Sequence, residues 1–317
     1  MKPENHHFNR RRFIGSALAG SAFGCLTATP VLAQEKSQDG ESSNTKKVVL
    51  CSTTQVADFA RRVVGDQWEV LCVLGAGEDP HKYSPSTDDM FIAGRADLCL
   101  ENGWHLEGNE WMKTLAKDAG TPLITCIEGI QPIDLDDDGT MVKDPHAWFD
   151  PRNAWSYTKN ILKAVSAVDP GNAESFEMRA ELFKAQLLSL DKWITQQVNA
   201  IPQARRVLVT HHDAFGYFCK RYKFKPLSPL GWTTSELAGL TMVERKLIVD
   251  NIVKLNVKSI FIESTINSKT LEGIAESAGV KIGGRLYSDA MGAEGSAGET
   301  YLGMMRENVI SIVTALK

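Results

Sequence analysis

The chain has 317 residues, of which 43% are hydrophobic and 23% charged, a composition typical of a globular protein. This length exceeds that of most domains built around a single hydrophobic core. Its formal net charge is −4, and without residues 1–33 the remaining 31 basic and 38 acidic residues give −7. An acidic chain with no block of basic residues argues against a nucleic-acid-binding protein, and the length predicts two domains.

The N-terminal residues 1–33 have the pattern of an export signal. The three arginines of residues 10–12 precede a moderately apolar stretch, as in signals for the twin-arginine route. Residues 31–33 (Val-Leu-Ala) supply small side chains for cleavage before Gln34. The pattern predicts a protein that works in the periplasm or elsewhere outside the cytoplasm.

Two features of this region bear on membrane attachment. The apolar stretch is shorter than the ~20 residues that a spanning helix needs, so we predict cleavage rather than a retained membrane helix. Lipid attachment at Cys25 is the alternative, although Ala22 stands where such cysteines usually have a leucine three residues earlier. Residues 34–46 are polar and contain no core-forming side chain, which predicts a flexible tether.

Residues 47–170 alternate between predicted strands and helices. Residues 47–52 are an apolar run typical of a buried strand, and Thr54 is placed to cap a helix that stops at Gly65. Such alternation predicts a parallel sheet covered by helices on both faces. The acidic segment 133–143 predicts a solvated loop. The other predicted elements are strands at 68–74, 97–101 and 123–127 and helices from residue 86 or 87 and over 106–119.

Residues 153–200 predict two helices with a break near Pro170. The second helix, 171–200, repeats apolar residues every three or four positions and would be roughly 45 Å long at about 1.5 Å per residue. We interpret it as a stiff link between domains, with packing against a single domain as the alternative. The strand–helix alternation resumes after it. We therefore predict an α/β fold of two βαβ, Rossmann-like domains, 47–170 and 201–317, joined by this helix.

Candidate ligand side chains follow the predicted strands. His81 follows the second strand and His146 the fourth, and in the second half His211, His212 and Asp289 also follow strands. Ligands of open parallel sheets bind beyond the carboxyl ends of the strands, so a cleft between the domains would collect these side chains. Three imidazoles and a carboxylate suit one divalent transition metal ion. His211 and His212 are adjacent and their side chains diverge, so composition leaves the choice between them open.

A repeated tripeptide supports the first two ligands. Residues 79–81 and 144–146 both read Asp-Pro-His, and each proline fixes the backbone so that the histidine is presented from a rigid turn. The aspartates are placed to orient the imidazoles by hydrogen bonds. A single tripeptide of this kind would indicate an ordinary turn, whereas two of them after strands favour ligands.

The remaining histidines and the cysteines predict no second site. His105, beside a tryptophan at a helix start, is expected to cap the helix or face solvent. The cysteines include no C-x-x-C pair and are odd in number beyond the signal, so we expect buried apolar side chains rather than disulfides or a zinc–thiolate cluster. No P-loop, G-x-S-x-G or H-E-x-x-H pattern is present in the sequence.

Five segments together carry a family resemblance: DPHKYSPS (79–86), DPHAWFDP (144–151), THHDAFGYFCKRY (210–222), FIESTINSKTL (261–271) and YSDAMG (287–292). They resemble the metal-binding solute-binding proteins of zinc and manganese ABC importers, the TroA/ZnuA-like family, over residues 47–317. The resemblance implies four metal ligands, His81, His146, His212 rather than His211, and Asp289. It also implies two α/β domains joined by one long helix, with only slight closure when the ligand binds.

The function that the resemblance implies is capture of one metal ion, Zn²⁺ or Mn²⁺ ahead of Fe²⁺, and delivery to a membrane permease and its ATPase. We expect a monomer that is not an enzyme and does not bind nucleic acid. Three imidazoles favour zinc, but the histidine-rich loop of many zinc-scavenging members is absent, and members with Glu in place of His212 tend to bind manganese.

Two other functions are alternatives. A zinc-dependent hydrolase also uses three histidines, but it needs an open coordination position and a base, for which Glu101 and Glu263 at strand ends are the candidates. Asp289 as a fourth ligand would close that position. A surface adhesin is the second alternative, and its activity would survive loss of all four ligands.

Overall fold

The computed structural model describes residues 46–137, 140–228 and 241–317. The predicted signal peptide (1–33) and the tether up to residue 45 lie outside the described residues. Within the described ranges, no helix is both long and apolar enough to cross a bilayer.

The first half forms a four-stranded parallel sheet. Its strands are β1 (Lys47–Cys51), β2 (Trp68–Cys72), β3 (Leu98–Glu101) and β4 (Leu123–Thr125). The connecting helices are α1 (Thr54–Val64), α2 (Thr87–Ala93) and α3 (Trp111–Ala119). The strand order is β2-β1-β3-β4, and all three ladders are parallel, which confirms the predicted α/β class.

Local sequence sets the ends of these helices. The Thr53 hydroxyl accepts the backbone N–H of Val56, so the N-cap of α1 is Thr53 and not Thr54 as predicted. Gly65 ends α1 with φ of 56°, which glycine adopts at low cost. The helix predicted over 106–119 begins only at Trp111, because Asn109 and Glu110 have left-handed φ of 56° and 55°.

The prediction of a loop over 133–143 is wrong. Two strands, β5 (Asp134–Asp137) and β6 (Thr140–Lys143), form an antiparallel hairpin whose register places Asp134 opposite Lys143. Acidic composition indicated solvent exposure, but backbone pairing needs only N–H and C=O groups, and opposite charges across a ladder favour it.

The second half repeats the strand–helix alternation after two long helices, α4 (Pro151–Val168) and α5 (Ala173–Val198). Its strands are β7 (Val207–Val209), β8 (Lys225–Leu227), β9 (Ser259–Glu263) and β10 (Lys281–Leu286), and its helices are α6 (Gly216–Tyr222), α7 (Met242–Lys254), α8 (Lys269–Ala278) and α9 (Tyr301–Leu316). β7 pairs with β8 and β9 with β10, both in parallel. Parallel pairing in both halves agrees with the predicted sheets.

One apolar core connects the halves. α5 buries a stripe that includes Phe176, Phe183 and Leu190, and it packs against α1, α4 and α9. The core cluster accordingly continues from β1 through α5 to α9. The predicted long helix therefore contacts both halves along its length, while the boundaries of the two domains, 47–170 and 201–317, stay a prediction.

Phe59 in α1 lies at the centre of this core. Its ring centroid is 5.6 Å from that of Tyr157 in α4, 6.0 Å from Phe183 in α5 and 5.0 Å from Tyr301 in α9. The Tyr301 hydroxyl donates to the backbone oxygen of Trp148 at 2.7 Å, two residues beyond His146. The core thus reaches the loops that carry the candidate ligands.

Candidate metal site

The four residues that the resemblance assigns as ligands lie on four separate loops. His81 follows β2, His146 follows β6, His212 follows β7 and Asp289 follows β10. One ligand atom from each lies within 4.8 Å of every other, and all four residues are buried. His146 follows the hairpin rather than the fourth strand of the sheet, yet it reaches the same place. The structure therefore brings together side chains separated by up to 208 positions in sequence.

Several distances within the cluster match the spacing of ligands around one small cation. Nε2 of His81 and Nε2 of His146 are 3.3 Å apart, and Nε2 of His146 is 3.3 Å from Oδ1 of Asp289. Ligand atoms ~2.0–2.1 Å from a tetrahedral zinc ion lie about 3.3–3.4 Å from one another. The donor set therefore fits a transition metal in both chemistry and spacing.

The Asp289 carboxylate presents both oxygens to the imidazoles. Oδ1 lies 3.3 Å from Nε2 of His146 and 4.0 Å from Nε2 of His81, and Oδ2 lies 3.3 Å from Nε2 of His212. One oxygen would complete four-coordination, and both together would give five ligand atoms. The arrangement thus suits metals that prefer different coordination numbers.

Carboxylates behind two of the imidazoles set their orientation. Oδ1 of Asp144 lies 2.9 Å from Nδ1 of His146 and accepts the backbone N–H of the same residue. Oε2 of Glu263 lies 2.7 Å from Nδ1 of His212. An Nδ1–H directed at a carboxylate leaves the Nε2 lone pair to face the cluster. The predicted contact between Asp144 and the His146 ring is confirmed. Glu263, in contrast, was predicted only as a candidate base and not as a residue that orients a ligand.

His211 points away from the cluster. Its Nδ1 accepts the backbone N–H of Glu263 at 3.1 Å, and the Glu263 carboxylate accepts the backbone N–H groups of both His211 and His212. These contacts with the end of β9 hold the His211 ring outside the cluster. Only His212 of the pair contributes to the group of four.

The His81 loop is held by close packing. Asp79 accepts the backbone N–H of His81 at 3.0 Å, and the Trp111 indole donates to the backbone oxygen of Pro80 at 2.9 Å. A Cβ on Gly108 would lie 2.1 Å from the His81 backbone oxygen, so only glycine permits this approach. The tripeptide turn is therefore held by an internal hydrogen bond, by the hydrogen bond from Trp111 and by close packing against Gly108.

Burial and charge act in opposite directions on the imidazoles. Burial lowers the pKa of His81 to about 3, so this ring is neutral. Burial also opposes charge on His146 and His212, but the adjacent carboxylates outweigh it and raise the pKa of both. The same contacts outweigh burial at Asp289 and lower its pKa well below the ordinary value. The electrostatics therefore favour the charged forms of Asp289, His146 and His212 and the neutral form of His81.

The other sequence candidates lie away from the cluster. His105 is exposed, as expected. Cys51, Cys72, Cys99, Cys126 and Cys219 are free thiols, and all but the half-buried Cys72 are buried, which confirms the prediction for the described cysteines. Glu101, a candidate base, accepts a hydrogen bond from the Thr125 hydroxyl at 2.7 Å and is outside the group of four.

Comparison with characterised proteins gives relatives that span the chain. The manganese-binding lipoprotein MntA of Bacillus subtilis (strain 168) is 35% identical over 289 residues, which cover 88% of this chain and 92% of that protein. The zinc-binding protein TroA of Treponema pallidum (strain Nichols) is 34% identical over 279 residues, covering 86% and 89%.

Solved structures agree. The periplasmic zinc binding protein TroA from Treponema pallidum superposes with a TM-score of 0.79 at 31% identity and covers 86% of this chain and 99% of its own. The Mn-bound periplasmic metal binding protein from Candidatus Liberibacter asiaticus gives 0.77 at 29% identity, covering 86% and 100%. The model of the family described as zinc-uptake complex component A, periplasmic, matches residues 49–315. The chain therefore belongs to the ZnuA family of solute-binding proteins.

Proposed function

We propose that this protein is the extracytoplasmic solute-binding protein of an ABC importer and captures one divalent transition metal ion through His81, His146, His212 and Asp289. The observation that carries the proposal is the convergence of four buried donor atoms within 4.8 Å from four separate loops. Keeping three imidazoles and a carboxylate buried away from water is costly, and a bound cation offsets that cost.

The cargo we propose is Zn²⁺ or Mn²⁺. Relatives named for manganese and for zinc are almost equally similar to this chain, at 35% and 34% identity. Three neutral imidazoles favour zinc by intrinsic affinity, whereas an Asp289 carboxylate that can bind through both oxygens also suits manganese. Fe²⁺ is the third candidate.

The proposed partners are a membrane permease and its ATPase, which take the ion from a monomeric receptor. Relatives named as lipoproteins support a location outside the cytoplasm. Because these relatives are named lipoproteins, we propose lipid attachment at Cys25 for this chain, with export by the twin-arginine route and cleavage before Gln34 as the alternative. The site needs no catalytic step, because binding and release of the ion are sufficient for transport.

The test is metal titration of the protein that starts at Gln34, after removal of metal with a chelator. We expect one tight equivalent of Zn²⁺ or Mn²⁺ by calorimetry. His146→Ala should abolish tight binding, and His105→Ala, which removes an exposed histidine, should not change it. Tight binding that persists in His146→Ala would overturn the proposal.

A second measurement separates the receptor from a hydrolase. The metal-loaded protein is incubated with activated esters and phosphate esters, alongside His212→Ala. Hydrolysis that depends on His212 would favour the enzyme, whereas its absence together with tight binding supports the receptor.

A further inference from the structure

The first turn of α1 is bonded to the loop that carries Asp289. The Gln55 side-chain amide donates to the backbone oxygen of Ser288 at 3.1 Å, and the Thr54 hydroxyl accepts the backbone N–H of Met291 at 2.9 Å. These contacts join residues 233 and 237 positions apart and lie on the two sides of Asp289 in sequence. The loop that presents the carboxylate is therefore tied to the first half of the chain at both flanks.

The two side chains act as a pair. The Thr54 hydroxyl donates to Oε1 of Gln55 at 3.1 Å while it accepts from Met291, which leaves the Gln55 amide nitrogen to donate to Ser288. Gln55 is 1% exposed, so this amide is held inside the protein. All three polar side-chain atoms of the pair therefore have a hydrogen-bond partner.

The position of the pair connects it to the metal cluster. α1 follows β1, an inner strand of the sheet that pairs with β2. The loop after β2 carries His81, whereas the loop after β10 carries Asp289. Bonds from α1 to that loop hold the carboxylate against imidazoles of the first half, 3.3 Å from Nε2 of His146. Neither Thr54 nor Gln55 belongs to the group of four.

We infer that Thr54 and Gln55 are positioning residues that set how long the bound metal ion is retained. The inference rests on the proposed function. With the two bonds intact, the loop keeps Asp289 in place after the imidazoles have bound the ion. Without them, the loop separates from α1 more often, the carboxylate leaves with it, and an ion held by three imidazoles alone dissociates faster. Association depends on encounter with the histidines and changes little.

The test uses near-isosteric variants of the full mature chain. Gln55→Met removes the donor to Ser288, Thr54→Val removes the acceptor for Met291, and Thr54→Ser retains it. The matched control is Thr158→Val, which removes a buried hydroxyl that donates to the Ala154 backbone oxygen within α4. The dissociation and association rate constants for Zn²⁺ are measured by stopped flow with a fluorescent chelator, and unfolding of each metal-free variant is measured in urea.

We expect Gln55→Met and Thr54→Val each to raise the dissociation rate constant about 3- to 10-fold, the range that the loss of one hydrogen bond gives. The association rate constant should stay within about twofold, and Thr54→Ser and Thr158→Val should release the ion at the wild-type rate. Midpoints in urea for the two variants should fall no further than that of Thr158→Val.

Wild-type dissociation in both variants would overturn the inference, as would an equal increase in Thr158→Val, which would show a general loss of stability. These results differ from failure of the proposed function itself. In that case the wild-type protein binds neither Zn²⁺ nor Mn²⁺, or His146→Ala binds the ion as tightly as the wild type.

Discussion

Glu263 Oε2 lies 2.7 Å from Nδ1 of His212, and both side chains are completely buried. The other oxygen of this carboxylate accepts the backbone N–H groups of His211 and His212. Glu263 therefore fixes both the ring and the backbone of His212, although it is not one of the four candidate ligands. Burial raises the pKa of Glu263, but the His212 charge outweighs it and lowers the pKa, so the carboxylate is anionic.

Replacing Glu263 by glutamine should weaken metal binding although all four ligands remain. The neutral amide is a poorer acceptor for the His212 N–H, and loss of such an outer contact lowers metal affinity by about 10- to 100-fold. The change is measured as the Kd for Zn²⁺ by competition with a chelator. Glu276→Gln, an exposed glutamate in α8, is the control, and an unchanged Kd in Glu263→Gln would show that the contact does not orient the ligand.

Metal affinity should increase as pH rises. The pKa of both His146 and His212 is raised, so the metal-free protein carries protons there that a metal ion must displace, whereas His81, with a pKa of about 3, is already neutral. Binding should therefore release about two protons, and the apparent affinity should rise up to about 100-fold per pH unit at pH values below both raised pKa values and level off above them. Calorimetry in buffers of different ionisation enthalpy counts the protons, and zero release would contradict the assigned charge states.

Removing the metal should lower stability by an amount set by the ion concentration. With free ion at 100 times Kd, a bound ion stabilises the native state by about 2.7 kcal/mol. The shift is measured as the difference in urea unfolding with Zn²⁺ and with a chelator. In Asp289→Ala the difference should shrink to near zero at the same ion concentration, and a full shift in that variant would place the stabilising ion elsewhere.

Phe59→Ala should destabilise the whole described fold rather than one half. The substitution removes a fully buried ring that contacts α4, α5 and α9, and large-to-small changes of this kind cost about 3–5 kcal/mol. Urea unfolding followed by tryptophan fluorescence and by circular dichroism should shift together. Two separate transitions, with only one shifted, would show that the halves unfold independently.

Most elements were predictable because their signals are local. The apolar run 47–52 predicts a buried strand, and β1 is found at Lys47–Cys51. The break between α4 and α5 follows from Pro170, which cannot continue a helix. The hairpin of β5 and β6 was not predictable in the same way, because its acidic strands lack the apolar alternation that identifies a strand.

The cluster of four was predictable from the sequence, but only part of its surroundings was. Asp144 contacts His146 from within the same Asp-Pro-His tripeptide, whereas other contacts around the cluster join residues far apart in sequence. Glu263 is 51 positions from His212, and Gln55 is 233 positions from Ser288. Such pairs depend on how loops from different strands meet, which no local pattern specifies.

A core that runs unbroken from β1 through α5 to α9 limits how the cargo can be unloaded. A wide separation of the two halves would break the contacts of Phe59 with its aromatic neighbours. It would also expose apolar surface to water, which costs a large amount of free energy. The ligands, in contrast, lie on loops. Hydrogen bonds that contribute about 1 kcal/mol each attach these loops to the core. A permease that displaces one ligand loop can therefore release the ion while the core stays folded. The protein can then bind the next ion without refolding its interior.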